Sequence, residues 1–279
     1  MSSILTNSSA MNALATLKDV NRGLNDTQSR VSTGLKVSSG KDNAAYFAVS
    51  ETMKGDSGMF KAINEGMTAT KNSVATARLG AETVSDIAQQ MVERIAFAQS
   101  DGINKQDVQD ELVALAKNMQ SAIDQATFNG DNLVDGVQAA AGPVTVVNGV
   151  SRDATGAFGV TSSTFNAVDL QAIQTTLAAI NVTDSATTMD AKLIAAEGEL
   201  GKAISAATSL GITENTIDGQ MQFIDSLTDT LDSGVSSMVD ADMEEEAARL
   251  QAYQVQQQLA TQSLSIANQA PQNILSLFR

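Results

Sequence analysis

The chain contains no cysteine, no histidine and no tryptophan among its 279 residues, and only two prolines, Pro143 and Pro271. Without thiols it has neither disulfides nor thiolate metal sites, and without imidazole it lacks the commonest general base and zinc ligand. Most catalytic arrangements lose a member, and no cofactor is implied. Aromatic residues make up only 4%, while Ala, Gln, Ser, Thr and Leu are abundant, which is the composition of long helices. Basic side chains are also scarce, with 17 Lys and Arg against 32 Asp and Glu, for a net charge of −15. Nucleic acid and anionic membrane surfaces need clustered cations to displace counterions, so neither is an expected partner. No stretch approaches the roughly 20 apolar residues that span a bilayer. The opening MSSILTNSSAMNALATLK carries no positive charge before Lys18 and no uninterrupted apolar run, so a cleavable secretory signal is not expected. On that ground alone the chain reads as cytoplasmic.

What is present is periodicity. From Val239 to Arg279, Leu250, Tyr253, Ala260, Leu264 and Ala267 fall on one helical face. In the first forty residues Ile4, Met11, Leu14, Leu17, Leu24, Val31 and Leu35 step by threes, fours or sevens. The two ends are therefore expected to pair as a terminal coiled coil. Ser32 to Asn43, rich in Gly and Ser, reads as a joint, and Gly55 and Gly58 as an interruption. A heptad seam then runs through Phe60, Ile63, Met67, Thr70, Val74, Ala77, Ala81, Val84, Ala88, Met91, Ile95 and Ala98. Asp101-Gly102 breaks it, and a shorter helix is predicted with Val108, Leu112, Leu115, Met119 and Ile123 or Ala122 inside.

Phe128-Asn129-Gly130 reads as a turn, and between about Gly142 and Asp169 β-branched residues with an Asn148-Gly149 turn signal predict a small hairpin. The seam returns from Leu193 through Ala196, Leu200, Ala203, Ala207, Leu210, Glu214, Ile217, Met221, Ile224, Thr228, Leu231, Val235 and Met238. Such runs exceed the ordinary helix of about 11 to 12 residues and argue for rods packed side by side. The expected fold is mainly α: a long antiparallel helical rod, a terminal coiled-coil pair and a small β-hairpin region.

Three features invite a functional reading. The acidic run Asp240, Asp242, Glu244, Glu245 and Glu246 lacks the alternate-position oxygens and Gly of a calcium loop, and reads as a helix start with Asp242 and Glu245 as a capping box. The methionines of the seams read as core filling. The ending Ile274, Leu275, Leu277 and Phe278 places four large apolar side chains where polar residues are usual, so an interface is expected there.

Three stretches together resemble bacterial flagellin: RVSTGLKVSSGKDNAAYFAVSETM from Arg30 to Met53, QDELVALAKNMQSAIDQATFNGDNL from Gln109 to Leu133, and VDADM through QAPQNILSLFR at the end. The resemblance implies an inner domain formed by both termini (residues 1–43 and 239–279), a rod (44–141 and 191–238) and a variable β-hairpin insert (142–190) with little or no outer domain. It also implies a structural subunit of an extracellular filament, exported through the flagellar type III apparatus, which replaces the cytoplasmic reading. Implied partners are further copies of the chain or other flagellins, an export chaperone, a filament cap and hook-junction proteins. Self-assembly is expected of Ile4, Met11, Leu14, Leu17, Leu24, Val31, Leu250, Tyr253, Leu264, Ile274, Leu275, Leu277 and Phe278. A hook-filament junction protein is the alternative, and a flagellin-borne zinc protease is disfavoured because no HExxH motif exists without His. The chain departs from flagellins detected by the mammalian flagellin receptor, with Met91 in place of an Arg and Lys117 and Asn118 in place of an acidic pair.

Overall fold

The computed structural model describes residues 7–152 and 158–277, with Ala141, Arg152, Phe158 and the stretch 270–277 described by backbone alone. The elements in chain order are α1 (Ser8–Thr33), α2 (Ala44–Phe97), α3 (Lys105–Gln125), β1 (Thr127–Phe128), β2 (Asp131–Asn132), α4 (Gly136–Ala141), β3 (Val144–Arg152), β4 (Phe158–Phe165), α5 (Leu170–Ala178), α6 (Met189–Val239) and α7 (Met243–Leu277). They divide into two compact units, one holding both ends of the chain up to Ser57 and from Thr230, the other running from Gly58 to Asp229.

In the unit of the two ends, α1 starts where the Asn7 side chain accepts from the Ala10 amide at 3.1 Å. It stops at Gly34, whose φ of 73° is left-handed and whose N–H returns to the Arg30 carbonyl. The predicted joint follows. Its amides at Lys36 and Val37 donate to the Val239 carbonyl, and the Ala241 amide donates to the Gly34 carbonyl, so the end of α1 is tied to the start of α7. Val37, Val235 and Val239 form a small core here, with Leu35, Phe47, Met53 and Met238 packed on it.

Asp42 organises the loop, since its Oδ2 accepts from the amide and hydroxyl of both Ser38 and Ser39, each at 3.1 Å. Those bonds, led by the Ser38 amide, hold its carboxyl below the usual value of 3.8. A depressed folded value means that this contribution is fully present above the unfolded value and is lost as pH falls through the folded one. Hydrogen-exchange protection of the Ser38 and Ser39 amides should therefore be constant at neutral pH and fall below about pH 3.8. Asp42→Asn should abolish the pH dependence.

The Asn43 side chain caps α2 by accepting from the amides of Ala45 and Tyr46. The helix then runs unbroken through Gly55 and Gly58, contrary to the expected interruption. Each glycine costs a helix about 1 kcal/mol relative to Ala, and the inward burial of the neighbouring Ser57 and Phe60 outweighs it.

In the unit from Gly58 to Asp229, the seam of α2 is buried from Phe60 through Met67, Val74, Ala77, Ala81, Val84, Ala88, Met91 and Ile95 to Ala98. Fully burying a side chain of the Met, Ile or Val class stabilises by about 1.5–3 kcal/mol, so this row dominates the local energetics. On α3 the buried set is Val108, Leu112, Ala116, Met119 and Ile123, with Ala116 in the place expected of Leu115. On α6 Ala196, Ala203, Leu210, Ile217, Ile224 and Thr228 are buried as expected, but Lys192, Glu199 and Ala206 join them. The two charged groups are tolerated because each has a partner: Lys192 Nζ donates to the Asp184 carbonyl at 2.5 Å and Glu199 receives Lys202 at 2.8 Å. Glu214, which with Thr228 is polar in the expected seam, receives Arg78 Nε at 2.7 Å. Glu214 first, and then Glu82, hold the Arg78 guanidinium still more firmly charged.

The turn expected at Phe128-Asn129-Gly130 joins β1 to β2, with Asn129 at φ 53° and Gly130 at φ 91°. The Asn148-Gly149 signal misleads, because it marks a bulge inside β3 and not the hairpin turn. Gly149 lies opposite Thr161, whose hydroxyl would stand 2.8 Å from a Cβ there. Close cross-strand approach, not chain reversal, is what the glycine serves. Helix α5 is an addition to the expected elements, although Asp169 caps it and Leu170, Ile173 and Leu177 form its buried face.

Candidate assembly surface

Helices α1 and α7 pack antiparallel. Asn7 Nδ2 donates to the Ala267 carbonyl at 2.7 Å, Gln257 Nε2 to Asn21 Oδ1 at 2.6 Å, and Arg30 Nη1 to Glu246 Oε1 at 3.3 Å. The rungs cover the described length of α1. At the start of α7 the Asp242 side chain accepts from the amides of Glu244 and Glu245, so the acidic run does begin a helix. Glu245 turns outward to Arg249 at 2.6 Å and closes no capping box. Glu246 is buried between Arg30 and Arg249. Among the described residues no three carboxylates come together as a metal site.

The inner face of this pair contains Leu17, Leu24 and Val31 on α1 and Leu250, Tyr253 and Leu264 on α7, all partly buried. Its most buried members are Val20, Thr27 and Ala260, and sequence reasoning misses Val20 and Thr27. Both lie on the seven-residue row that starts at Ala13, a row hidden by alanine at one end and threonine at the other.

Met11 and Leu14, expected in the seam, are 66% and 43% exposed. At 3.6 residues per turn their row drifts off the Leu17–Leu24–Val31 face. On α7 Val255, Leu259 and Ile266 are likewise 55%, 56% and 69% exposed, a second apolar row outside the expected face although its spacing is helical. Between the helices runs an open groove of about 330 Å³ lined by Ala13, Thr16, Val20, Gln256, Leu259, Ala260 and Ser263. Ile4 and Phe278 lie outside the described residues, and Ile274, Leu275 and Leu277 fall in the part of α7 described by backbone alone.

In the other unit Met91 is wholly buried in the α2 seam, while Lys117 and Asn118 are exposed on α3. Near them Arg94 Nε pairs with Glu111 at 2.9 Å. No helix among the described residues is long and apolar enough to cross a membrane.

Comparison with known proteins matches the ends of the chain to two family patterns. Residues 4–139 match the bacterial flagellin N-terminal helical region and residues 193–278 the bacterial flagellin C-terminal helical region. The chain is 38% identical to a flagellin of Brucella melitensis, with 100% of each covered. It is 33% identical to flagellin C of Rhizobium meliloti, again with 100% of each covered. Among solved structures, a putative flagellar hook-associated protein from Vibrio parahaemolyticus shares the fold at a TM-score of 0.52 and 12% identity, over 71% of this chain and 100% of that one.

Proposed function

The chain belongs to the bacterial flagellin family, and on that premise we propose that the outward apolar face of the α1–α7 pair joins one copy of the chain to the next. As a flagellin it is a structural subunit of the flagellar filament, a helical polymer outside the cell that serves swimming. Similarity to flagellins over the full length favours this role over that of a hook-filament junction protein.

One observation carries the proposed surface. The seam of the pair is closed by its own residues, yet Met11 and Leu14 on α1 and Val255, Leu259 and Ile266 on α7 remain exposed, with Leu259 lining an open groove between the helices. Monomers rarely leave such faces uncovered, and burial at about 25 cal/mol per Å², repeated at every subunit, gives the polymer its stability. Ile4, Ile274, Leu275, Leu277 and Phe278 extend the same proposal to the chain ends, with Leu17, Leu24, Val31, Leu250, Tyr253 and Leu264 holding the pair together beneath the surface. Residues 1–43 and 239–279 then act as the inner domain, 44–141 and 191–238 as the rod, and 142–190 as the insert.

The structural character of the family and a sequence without His or Cys support a chain with no catalytic role. The resemblance of its ends to flagellin supports export by the flagellar type III apparatus, with an export chaperone, a filament cap and hook-junction proteins as transient partners.

Leu259→Asp tests the surface, with the exposed neighbour Gln258→Asp as control. A charge trapped in a subunit contact costs about 2 kcal/mol or more. The Leu259 variant should therefore yield no sedimentable polymer on salting-out, with its circular dichroism unchanged, while the Gln258 variant polymerises. Equal behaviour of the two would refute the surface.

The receptor departures lead to a further expectation. A thioether makes none of the forked, charge-assisted hydrogen bonds of a guanidinium, and Met91 is turned into the core. Soluble monomer should thus activate cells reporting the mammalian flagellin receptor much more weakly than an Arg-bearing flagellin at equal concentration. Matching potency would overturn this expectation.

A further inference from the structure

Gly23 is the one glycine of α1, and it stands in the middle of that helix. Its φ is not left-handed, no turn falls there, and glycine is a poor helix former, so local structure gives it no reason. Tertiary structure does. A Cβ on Gly23 would meet Cζ, Cε1 and the hydroxyl oxygen of Tyr253 at 2.6, 2.7 and 2.9 Å. The missing side chain lets the Tyr253 ring lie against the α1 backbone.

Helical spacing relates this contact to the groove. Gly23 lies seven residues beyond Thr16 and so in the same row, and Tyr253 lies one turn before Gln256. Thr16 and Gln256 both line the groove, so the ring sits where the groove would otherwise continue. The pair is tied at its base by the backbone bonds to Val239 and Gly34 and toward the other end by Asn7 and Ala267. Between these anchors one side-chain hydrogen bond, Gln257 to Asn21, crosses the pair, and the rest of the seam is mostly Ala, Leu and Val, which resists a small rotation of one helix on the other only weakly. A ring seated in a glycine gap adds to that resistance, because it lies against the α1 backbone with no room to move closer.

We infer that Gly23 is a positioning residue for assembly: by admitting the Tyr253 ring it sets the spacing and rotation of α7 on α1, and so the shape of the surface that the groove and the neighbouring Val255 and Leu259 offer to the next copy. The inference rests on the assembly surface proposed above and names what holds it in shape. It also explains why a residue that weakens the helix occupies its middle.

The test uses the full chain with Gly23→Ala, Tyr253→Leu and the double variant. Gly23→Ala should keep or raise helicity by circular dichroism, yet raise the critical concentration for polymerisation by about tenfold, because the added methyl displaces the ring. The double variant should return to within about twofold of Tyr253→Leu alone, since the clash is gone. As the chain has no cysteine, Thr16→Cys with Ala260→Cys reports the geometry directly. Disulfide yield should fall with Gly23→Ala and recover in the double variant.

Three results would each overturn the inference: normal polymerisation and cross-linking of Gly23→Ala, effects of the two substitutions that add instead of compensating, or a loss of helicity that Tyr253→Leu does not rescue. Polymerisation of Leu259→Asp would sink the surface itself, whatever Gly23→Ala does, so the two failures are distinguishable.

Discussion

A chain ending at Met238 is expected to form no filaments under salting-out, while the helices between Gly58 and Asp229 remain folded. Removing Val239 to Arg279 takes away α7 and the Val239 carbonyl that receives the amides of Lys36 and Val37. Helix α1 then loses its partner along Leu17, Val20, Leu24, Thr27 and Val31, and an isolated helix of this length is marginal in water. The seam from Met67 to Ala98 is buried within its own unit and needs none of the deleted residues. Circular dichroism should retain a strong helical signal with a loss limited to the terminal segments, and sedimentation should find only soluble chain. Filaments of normal length from this truncated chain would show that the α1–α7 pair is dispensable.

The second large effect is expected inside that other unit. Met91 is fully buried in line with Ala88 and Ile95. Met91→Asp removes the volume of a large side chain, which by itself costs about 2–5 kcal/mol, and leaves a carboxylate too short to reach water. The sum, on the order of 5 kcal/mol, is comparable with the whole stability of many domains. Urea unfolding followed by circular dichroism should show a markedly lower midpoint than for the exposed control Glu93→Asp, and polymerisation should fail with it. An unchanged midpoint would mean that Met91 is not in the core.

Much of this organisation is legible in residue spacing. Spacing marks twelve positions of the α2 seam, and the fold buries ten of them, leaving Ile63 and Thr70 partly covered. That success has a physical basis: a long helix with one buried face has a single degree of freedom, its phase, and a heptad of Met, Val, Ala and Ile states it repeatedly. Where the pattern is written in small or polar letters, it fails. Val20 and Thr27 are hard to see in a row that begins with alanine, Lys192 and Glu199 enter the core because nearby groups bind their charges, and Met11 and Leu14 have the spacing of the seam although they lie outside it.

The hairpin shows the same limit. Asn148-Gly149 has the composition of a turn, yet neither residue takes the positive φ of such a turn, and the glycine serves close approach to Thr161 instead. Cross-strand register, which places Gly149 opposite Thr161, distinguishes the bulge from a turn, and register belongs to two strands at once.

The sequence by itself therefore determined the helical class, the long seams, the joint between Thr33 and Ala44, and a chemistry without catalytic imidazole or thiol, because each depends on composition or on spacing along one element. Tertiary structure decided which apolar rows face inward and which stay open, why Glu214 and Glu246 are tolerated, and what Gly23 is for. Those depend on atoms brought together from α1 and α7 or from α2 and α6, and the distance between two helices is not written in either one alone.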